Sequence, residues 1–111
     1  MVERGTVLIV SAGGGLAGKP RPAVVVQASQ FNFPETLIVV PLTSTETEKN
    51  AAMLVLLPDM SNGLSEASSL MTHRIGAVRK SDIGKKVGSL SVADMERIDG
   101  ALSLVLGLQA S

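Results

Sequence analysis

The chain has 111 residues, enough for one domain and short for two, so we predict a single domain over residues 1–111. With a formal net charge of zero and no cysteine, the composition gives no global basic field and excludes disulfide bonds and thiolate metal sites. Phe31 and Phe33 are the only aromatic residues, so the core must be aliphatic, and an oligomer interface would add useful burial.

The N-terminal segment lacks the basic and then apolar pattern of a signal peptide. No apolar run approaches the length of a membrane-spanning helix. Together with the absence of cysteine, these features predict a soluble cytoplasmic protein that does not enter a membrane.

The first predicted strand covers Gly5 to Val10, where compact and β-branched residues follow one another. A glycine-rich loop from Ser11 to Gly18 follows, and its small residues predict a mobile segment that acts as a lid. Gly13 to Lys19 has the spacing G-x-x-x-x-G-K of a phosphate-binding P-loop, but Pro20 replaces the hydroxyl that binds magnesium, and a strand follows instead of a helix. We therefore reject a nucleotide-binding P-loop.

The second predicted strand, Ala23 to Gln27, begins with an apolar, β-branched run typical of an interior strand. Arg21 precedes it, between Pro20 and Pro22, so its backbone is restricted from both sides. A guanidinium held rigidly beside a core strand is suited to clamp a phosphate or a carboxylate. The alternative is a surface turn with a solvated arginine.

The third predicted strand, Thr36 to Val40, ends at Pro41, because proline stops the hydrogen-bonded ladder. A cluster of hydroxyl side chains follows at the strand tip, formed by Thr43, Ser44 and Thr45. The alternative is a polar turn whose hydroxyls bond the local backbone.

Further strands are predicted over Ala51 to Leu57, Ala67 to Met71 and Val87 to Leu90, with one helical turn over Ser81 to Gly84. The single histidine, His73, follows the fifth strand, and imidazole is the side chain best suited to proton transfer near neutral pH. The alternative for this residue is a structural or exposed histidine.

Between residues 71 and 90 the chain has five basic residues and one acidic residue, Asp82. The basic residues are Arg74, Arg79, Lys80, Lys85 and Lys86. This run is a local positive strip, and its alternative interpretation is an ordinary solvated surface.

Ser91 to Asp94 fits a helix capping box, and an amphipathic helix follows. Its apolar face is predicted to contain Met95, Ile98, Leu102 and Val105, widened near the C-terminus by Leu104, Leu106 and Leu108. Gly100 lies inside this helix at a cost of about 1 kcal/mol relative to alanine, which predicts a packing reason for it.

The order of these elements predicts a mainly β fold. Short strands separated by glycine and proline turns, followed by one helix, favour a small curled sheet or a barrel with the helix laid against it.

Taken in order, these segments resemble the MazF/PemK family of toxins, the endoribonucleases of type II toxin–antitoxin pairs. The specific pieces are K-P-R-P-A-V-V-V over residues 19–26 and P-L-T-S over residues 41–44. Weaker matches are Gly63-Leu64, K-S-D-I-G over residues 80–84 and the helix end V-L-G-L over residues 105–108.

The resemblance implies an SH3-like barrel of short antiparallel strands that forms a homodimer and binds single-stranded RNA and a cognate antitoxin. It implies cleavage without a metal or cofactor, by attack of the ribose 2′-OH, leaving 2′,3′-cyclic phosphate and 5′-OH ends. The family's arginine falls on Arg21 and its threonine on Thr43. We add His73 as a candidate catalytic residue, and we assign RNA binding to Lys19, Ser44, Arg74 and Arg79.

One position departs from the family pattern, because the usual arginine near the fifth strand falls on Gly76. Arg74 or Arg79 is then the candidate to supply the missing charge. Two alternatives to a nuclease stay open: a gyrase poison similar to CcdB, disfavoured because the chain has no tryptophan, and a degenerate relative that only binds its antitoxin.

Overall fold

A computed structural model of the chain describes residues 2–11, 19–45 and 52–108. Within these residues the chain forms seven strands, two single 3-10 turns and one helix. The strands are β1 Thr6–Val10, β2 Arg21–Val25, β3 Thr36–Thr43, β4 Val55–Leu56, β5 Ser68–Leu70, β6 Gly76–Arg79 and β7 Ile83–Ser89. The 3-10 turns are Thr72–Arg74 and Lys80–Asp82, and the helix is α1 Val92–Leu106.

The strands form one antiparallel sheet in the order β4-β5-β3-β2-β1-β7. β3 is its centre, since β2 pairs with one edge, while β6 pairs with the first half of the other edge and β5 with the second half. The predicted mainly β class with a C-terminal helix is confirmed, as a curled antiparallel half-barrel.

Alternate residues of β2 pack on opposite faces of the sheet, as the pleat of a strand requires. Val24 belongs to the larger aliphatic core, which also contains Ile98 and Leu102 of α1. Ala23 and Val25 belong to a second aliphatic core on the other face, with Leu8, Leu37 and Val39. The predicted buried run is confirmed, because every side chain from Ala23 to Gln27 is less than 10% exposed.

Helix α1 begins as predicted at Ser91, whose Oγ accepts a hydrogen bond of 3.1 Å from the Asp94 backbone N–H. The predicted apolar face is buried only in its middle, at Ile98 and Leu102. The prediction was wrong for the last turn, because Val105 is 38% exposed and Leu104, Leu106 and Leu108 are more exposed still. We infer that this turn extends past the edge of the sheet.

Several strand boundaries differ from the prediction. β3 continues through Pro41 to Thr43, and β4 keeps only two residues of the predicted fourth strand. β6 was not predicted at all, and its pairing with β3 explains why a segment with little apolar alternation is extended. β7 begins at Ile83, where a helical turn had been expected to continue to Gly84. Most of the predicted glycine-rich lid falls outside the described residues.

Among the residues that the structure describes, no helix combines the length and the apolar character needed to cross a bilayer.

Two glycines give opposite predictions for stability. Gly100 is exposed within α1, and a Cβ there would have no atom within 4 Å among the described residues, so the expected packing reason is not found. At Gly88 a Cβ would overlap the backbone of Ser61 and Asn62. Gly100→Ala should therefore raise the free energy of unfolding by about 1 kcal/mol, because alanine is the better helix former. Gly88→Ala should lower it by about 1–3 kcal/mol through overpacking.

Urea denaturation of both variants beside the wild-type protein measures these changes. A Gly100→Ala variant less stable than the wild type would contradict the assignment of Gly100 as an unpacked position.

Candidate functional site

Arg21 is the first residue of β2 and lies where the aliphatic core ends and the surface begins. Pro22 follows it in the strand, and Lys19 and Pro20 precede it as exposed residues outside any strand. The Arg21 side chain is half-buried, and its Nε is fully buried with no hydrogen-bond partner among the described residues. A donor left unsatisfied in this way is costly, so Arg21 is a candidate to bind an acceptor supplied by a ligand.

Arg21 lines a cavity of about 360 Å³, which we call the cationic cavity. Its polar lining consists of four cations and one carboxylate, namely Lys19, Arg21, Arg74, Arg79 and Asp82. Its apolar wall continues the second core through Ala23, Val39 and Val78. A concave site with this excess of positive charge beside apolar walls is suited to bind an anion.

Most of the positive charge in this cavity is free to meet a ligand. Arg79 forms an ion pair with Asp82, with 3.5 Å between Nε and Oδ2. Across the described segments, Lys19, Arg21 and Arg74 form no ion pair. The cavity therefore presents three cations that no described carboxylate neutralises.

The structure does not show contact between the two residues of the predicted catalytic pair. The β2–β3 ladder ends at Ala23 opposite Pro41. Beyond it, Arg21 pairs with Val10 of β1, and Thr43 pairs with Ser69 of β5. Arg21 lines the cationic cavity, whereas Thr43 belongs to the same strand as Pro41, which lines it, but is not itself part of the cavity wall.

The Thr43 hydroxyl takes part in a local turn. Its Oγ1 accepts a hydrogen bond of 3.1 Å from the Thr45 backbone N–H and donates one of 3.3 Å to the Thr45 carbonyl. The local capping that had been the alternative interpretation is therefore present. The donated bond is long, so a ligand oxygen can compete for this proton.

Ser44 does not line the cationic cavity. It lines a second cavity of about 320 Å³, here called the serine cavity. The two cavities share Lys19, Arg21 and Pro22 as lining residues. The serine cavity also contains three residues that the sequence analysis did not single out, Ser65, Glu66 and Ser68. No sequence signal marked them, because chain folding alone brings residues 65–68 beside Ser44.

His73 lies in the 3-10 turn Thr72–Arg74 and is exposed. It lines neither the cationic cavity nor the serine cavity. The neighbouring Arg74 does line the cationic cavity. Of these two predicted site residues, only Arg74 is therefore part of the cavity wall.

Gly76, at the position where the family pattern has arginine, also lines the cationic cavity. It is the first residue of β6 and pairs with Val39. With no side chain there, the cavity stays open, and the charge comes instead from Arg74 and Arg79 on either side of it in the sequence.

In the part of the chain that the structure describes, no three His, Asp or Glu side chains are grouped so that they could hold a metal ion.

Comparison with known proteins supports a single family. The family of PemK-like, MazF-like toxins of type II toxin–antitoxin systems matches residues 3–106. The chain is 35% identical over 107 residues to a protein of Mycolicibacterium smegmatis named probable endoribonuclease MazF, and the match covers 96% of this chain and 98% of that protein.

Solved structures show the same fold. A mycobacterial endoribonuclease in complex with its cognate antitoxin matches with a TM-score of 0.81 and 22% identity over 100% of both chains. The Mycobacterium tuberculosis toxin MazF-mt6 matches with a TM-score of 0.78 and 19% identity, covering 95% of this chain and 99% of that one.

Proposed function

Because the chain belongs to the family of PemK-like, MazF-like toxins and is a MazF-like endoribonuclease, we propose that the cationic cavity binds the scissile phosphate of single-stranded RNA. One observation carries this assignment. The Nε of Arg21 is a buried, charged donor without a described partner, at the wall of a cavity rich in cations. A nonbridging phosphate oxygen is the acceptor that such a donor lacks.

The reaction is an in-line displacement at phosphorus. The ribose 2′-oxygen forms a bond to the neighbouring phosphorus, and the bond from phosphorus to the 5′-oxygen of the next nucleotide breaks. Negative charge grows on the nonbridging oxygens, where Arg21 donates from a fixed direction and the Thr43 hydroxyl donates beside it. The products are a 2′,3′-cyclic phosphate and a 5′-OH, and no metal or cofactor is required.

The remaining cations hold the rest of the RNA strand. Lys19 and Arg74 are exposed and line the cavity beside Arg21, so they can bind the phosphates on either side of the scissile one. Arg79 adds to this field while paired with Asp82, and Ser44 offers a hydroxyl to RNA that crosses into the serine cavity.

Proton transfer needs another group, because an arginine side chain does not act as a base in proteins. We assign the role to His73. A strand bound by Arg74 passes next to this exposed imidazole, which is one residue away in the sequence.

The cations of the cationic cavity also indicate which kind of protein would bind there. An antitoxin with an acidic, disordered segment would occupy the cationic cavity and exclude RNA. We propose that the toxin acts in the cytoplasm. We also propose that it forms a homodimer, because its core lacks aromatic residues and it exposes Leu104 and Leu106 in the last helical turn and Leu108 just after the helix.

The first prediction for activity concerns Arg21. In EDTA, the wild-type protein should cut a long single-stranded RNA into discrete fragments with 5′-OH ends. Arg21→Ala should lower the cleavage rate by roughly 100-fold or more, since it removes a donor to the developing charge. Arg21→Lys should also be strongly impaired because it lacks Nε, whereas Thr43→Ala should lose only about tenfold.

The thermal midpoint is the control for folding. Arg21→Ala should unfold at a temperature no lower than the wild type, because it removes a buried donor that has no described partner. An Arg21→Ala protein that cuts RNA at the wild-type rate would refute the proposed site, and a wild-type protein inactive on every RNA would favour the degenerate or gyrase-poison alternatives.

The second prediction separates cavity cations from other surface cations. Arg74→Ala should weaken binding of a cleavage-resistant 2′-O-methyl RNA and reduce the slope of log Kd against log salt by roughly 0.7, because one phosphate contact is lost. The matched control is Lys85→Ala, since Lys85 is exposed and lines neither cavity. Equal effects of the two variants would show that the cationic cavity does not direct RNA binding.

The third prediction concerns His73. His73→Ala should remove one limb of the pH dependence of kcat, because the group that moves a proton is gone. Cleavage rates of both proteins from pH 5 to pH 9 measure this effect. Superimposable pH profiles would make His73 a surface residue without a role in catalysis.

A further inference from the structure

The loop between β2 and β3 carries two exposed aromatic rings that the reaction does not use. Phe31 and Phe33 are 53% and 46% exposed. Their ring centroids are 6.3 Å apart and their planes differ by 4°, so they stack in parallel. They are the only aromatic residues in a chain whose core is entirely aliphatic, and both are placed outside that core.

The backbone around the rings is held in place by a buried side chain. Gln27 is 7% exposed, and its side-chain amide donates a hydrogen bond of 2.8 Å to the Phe31 carbonyl and accepts one of 3.0 Å from the Ile38 backbone N–H. Pro34 disfavours the α region for Phe33. The rings therefore form a pre-ordered surface, which lowers the entropy lost when a ligand binds.

Cations connect this surface to the cationic cavity. The Lys80 ammonium donates a hydrogen bond of 3.0 Å to Oδ1 of Asn32, the residue between the rings. The Lys80 backbone N–H donates to the Glu35 carbonyl at 2.8 Å. The preceding residue, Arg79, lines the cationic cavity and lies opposite Thr36, the first residue of β3.

We propose that Phe31 and Phe33 form a base-stacking platform for a nucleotide of the RNA substrate distant from the scissile bond. The proposal rests on the proposed function and adds a subsite to it. β3 runs from Thr36, which follows the loop that carries the rings, to Pro41, which lines the cationic cavity, and these five residue steps span roughly 17 Å. An RNA strand that follows the cations from Arg21 past Arg79 thus reaches the rings several nucleotides away.

The chemistry of the loop favours a nucleic acid over a protein as the occupant. Parallel rings offer flat faces, and every base has a face that can stack on them. Most exposed residues beside the rings are polar, including Gln30, Asn32 and Glu35, and Pro34 is the apolar exception. Two rings and one proline form a smaller apolar area than a stable protein interface buries. An ammonium next to the rings supplies a phosphate contact for the stacked nucleotide.

The test compares substrates of different length. Short RNAs centred on a mapped cleavage site would be extended by one nucleotide at a time on the 5′ side or the 3′ side. The wild-type KM should drop when one extension reaches the platform. A protein carrying Phe31→Leu and Phe33→Leu keeps apolar side chains but loses the flat faces of the rings. Its KM should therefore not drop when the RNA is extended, so it should exceed the wild-type KM on the extended RNA by about tenfold, while kcat stays unchanged.

A tryptophan variant, Phe31→Trp with Phe33→Trp, tests stacking whether or not the double leucine variant folds. It retains flat faces and should keep the drop in KM from the extension, and loss of that drop would contradict the platform. In a 2′-O-methyl RNA with 2-aminopurine at successive positions, fluorescence quenching on binding should be strongest at one distant position for the wild-type protein and the tryptophan variant. Equal quenching at every position would also contradict the platform.

The outcomes separate this proposal from the proposed function. If Arg21→Ala loses cleavage while the leucine variant shows the same length dependence as the wild type, the active site stands and the platform is refuted. Loss of neutralisation by the antitoxin, or loss of the dimer, with unchanged length dependence would reassign the rings to a protein interface. A kcat that falls equally for the shortest and longest RNAs would also contradict a stacking role.

Discussion

The site depends on one constraint, the position of the Arg21 guanidinium at the point where a fully buried strand meets the surface. Pro20 and Pro22 restrict the backbone on both sides of this residue, and strand pairing places it opposite Val10 of β1. Its Nε is buried and has no described partner. Desolvation is unfavourable for the free protein and strengthens the interaction with a phosphate.

The second property of the site is that its charges come from separate parts of the chain. Lys19 and Arg21 precede the core strand, whereas Arg74 and Arg79 flank the edge strand β6. Gly76 lies between Arg74 and Arg79 in the sequence and adds no side chain to the cavity. Folding thus brings four of the ten basic residues of a formally neutral chain to one cavity, which is the basis for proposing that it binds a polyanion.

Local sequence predicted the elements whose causes are local. The paired prolines, the buried run after them and the Ser91 cap each follow from a few neighbouring residues, and the structure contains all three. Strand β6 could not be predicted, because its extended form depends on pairing with β3. The exposure of the last turn of α1 also depends on tertiary structure, since a helical pattern does not reveal where the sheet beneath the helix ends. The serine cavity likewise depends on contacts between residues distant in sequence.

The most direct measurement is a crystal structure of the protein with an RNA that carries a 2′-O-methyl group at the cleavage site and cannot be cut. The account predicts that a nonbridging oxygen of the scissile phosphate accepts a hydrogen bond from Arg21 Nε at about 3 Å. A scissile phosphate outside the cationic cavity, with Arg21 Nε bonded to the protein or left without a ligand, would contradict it.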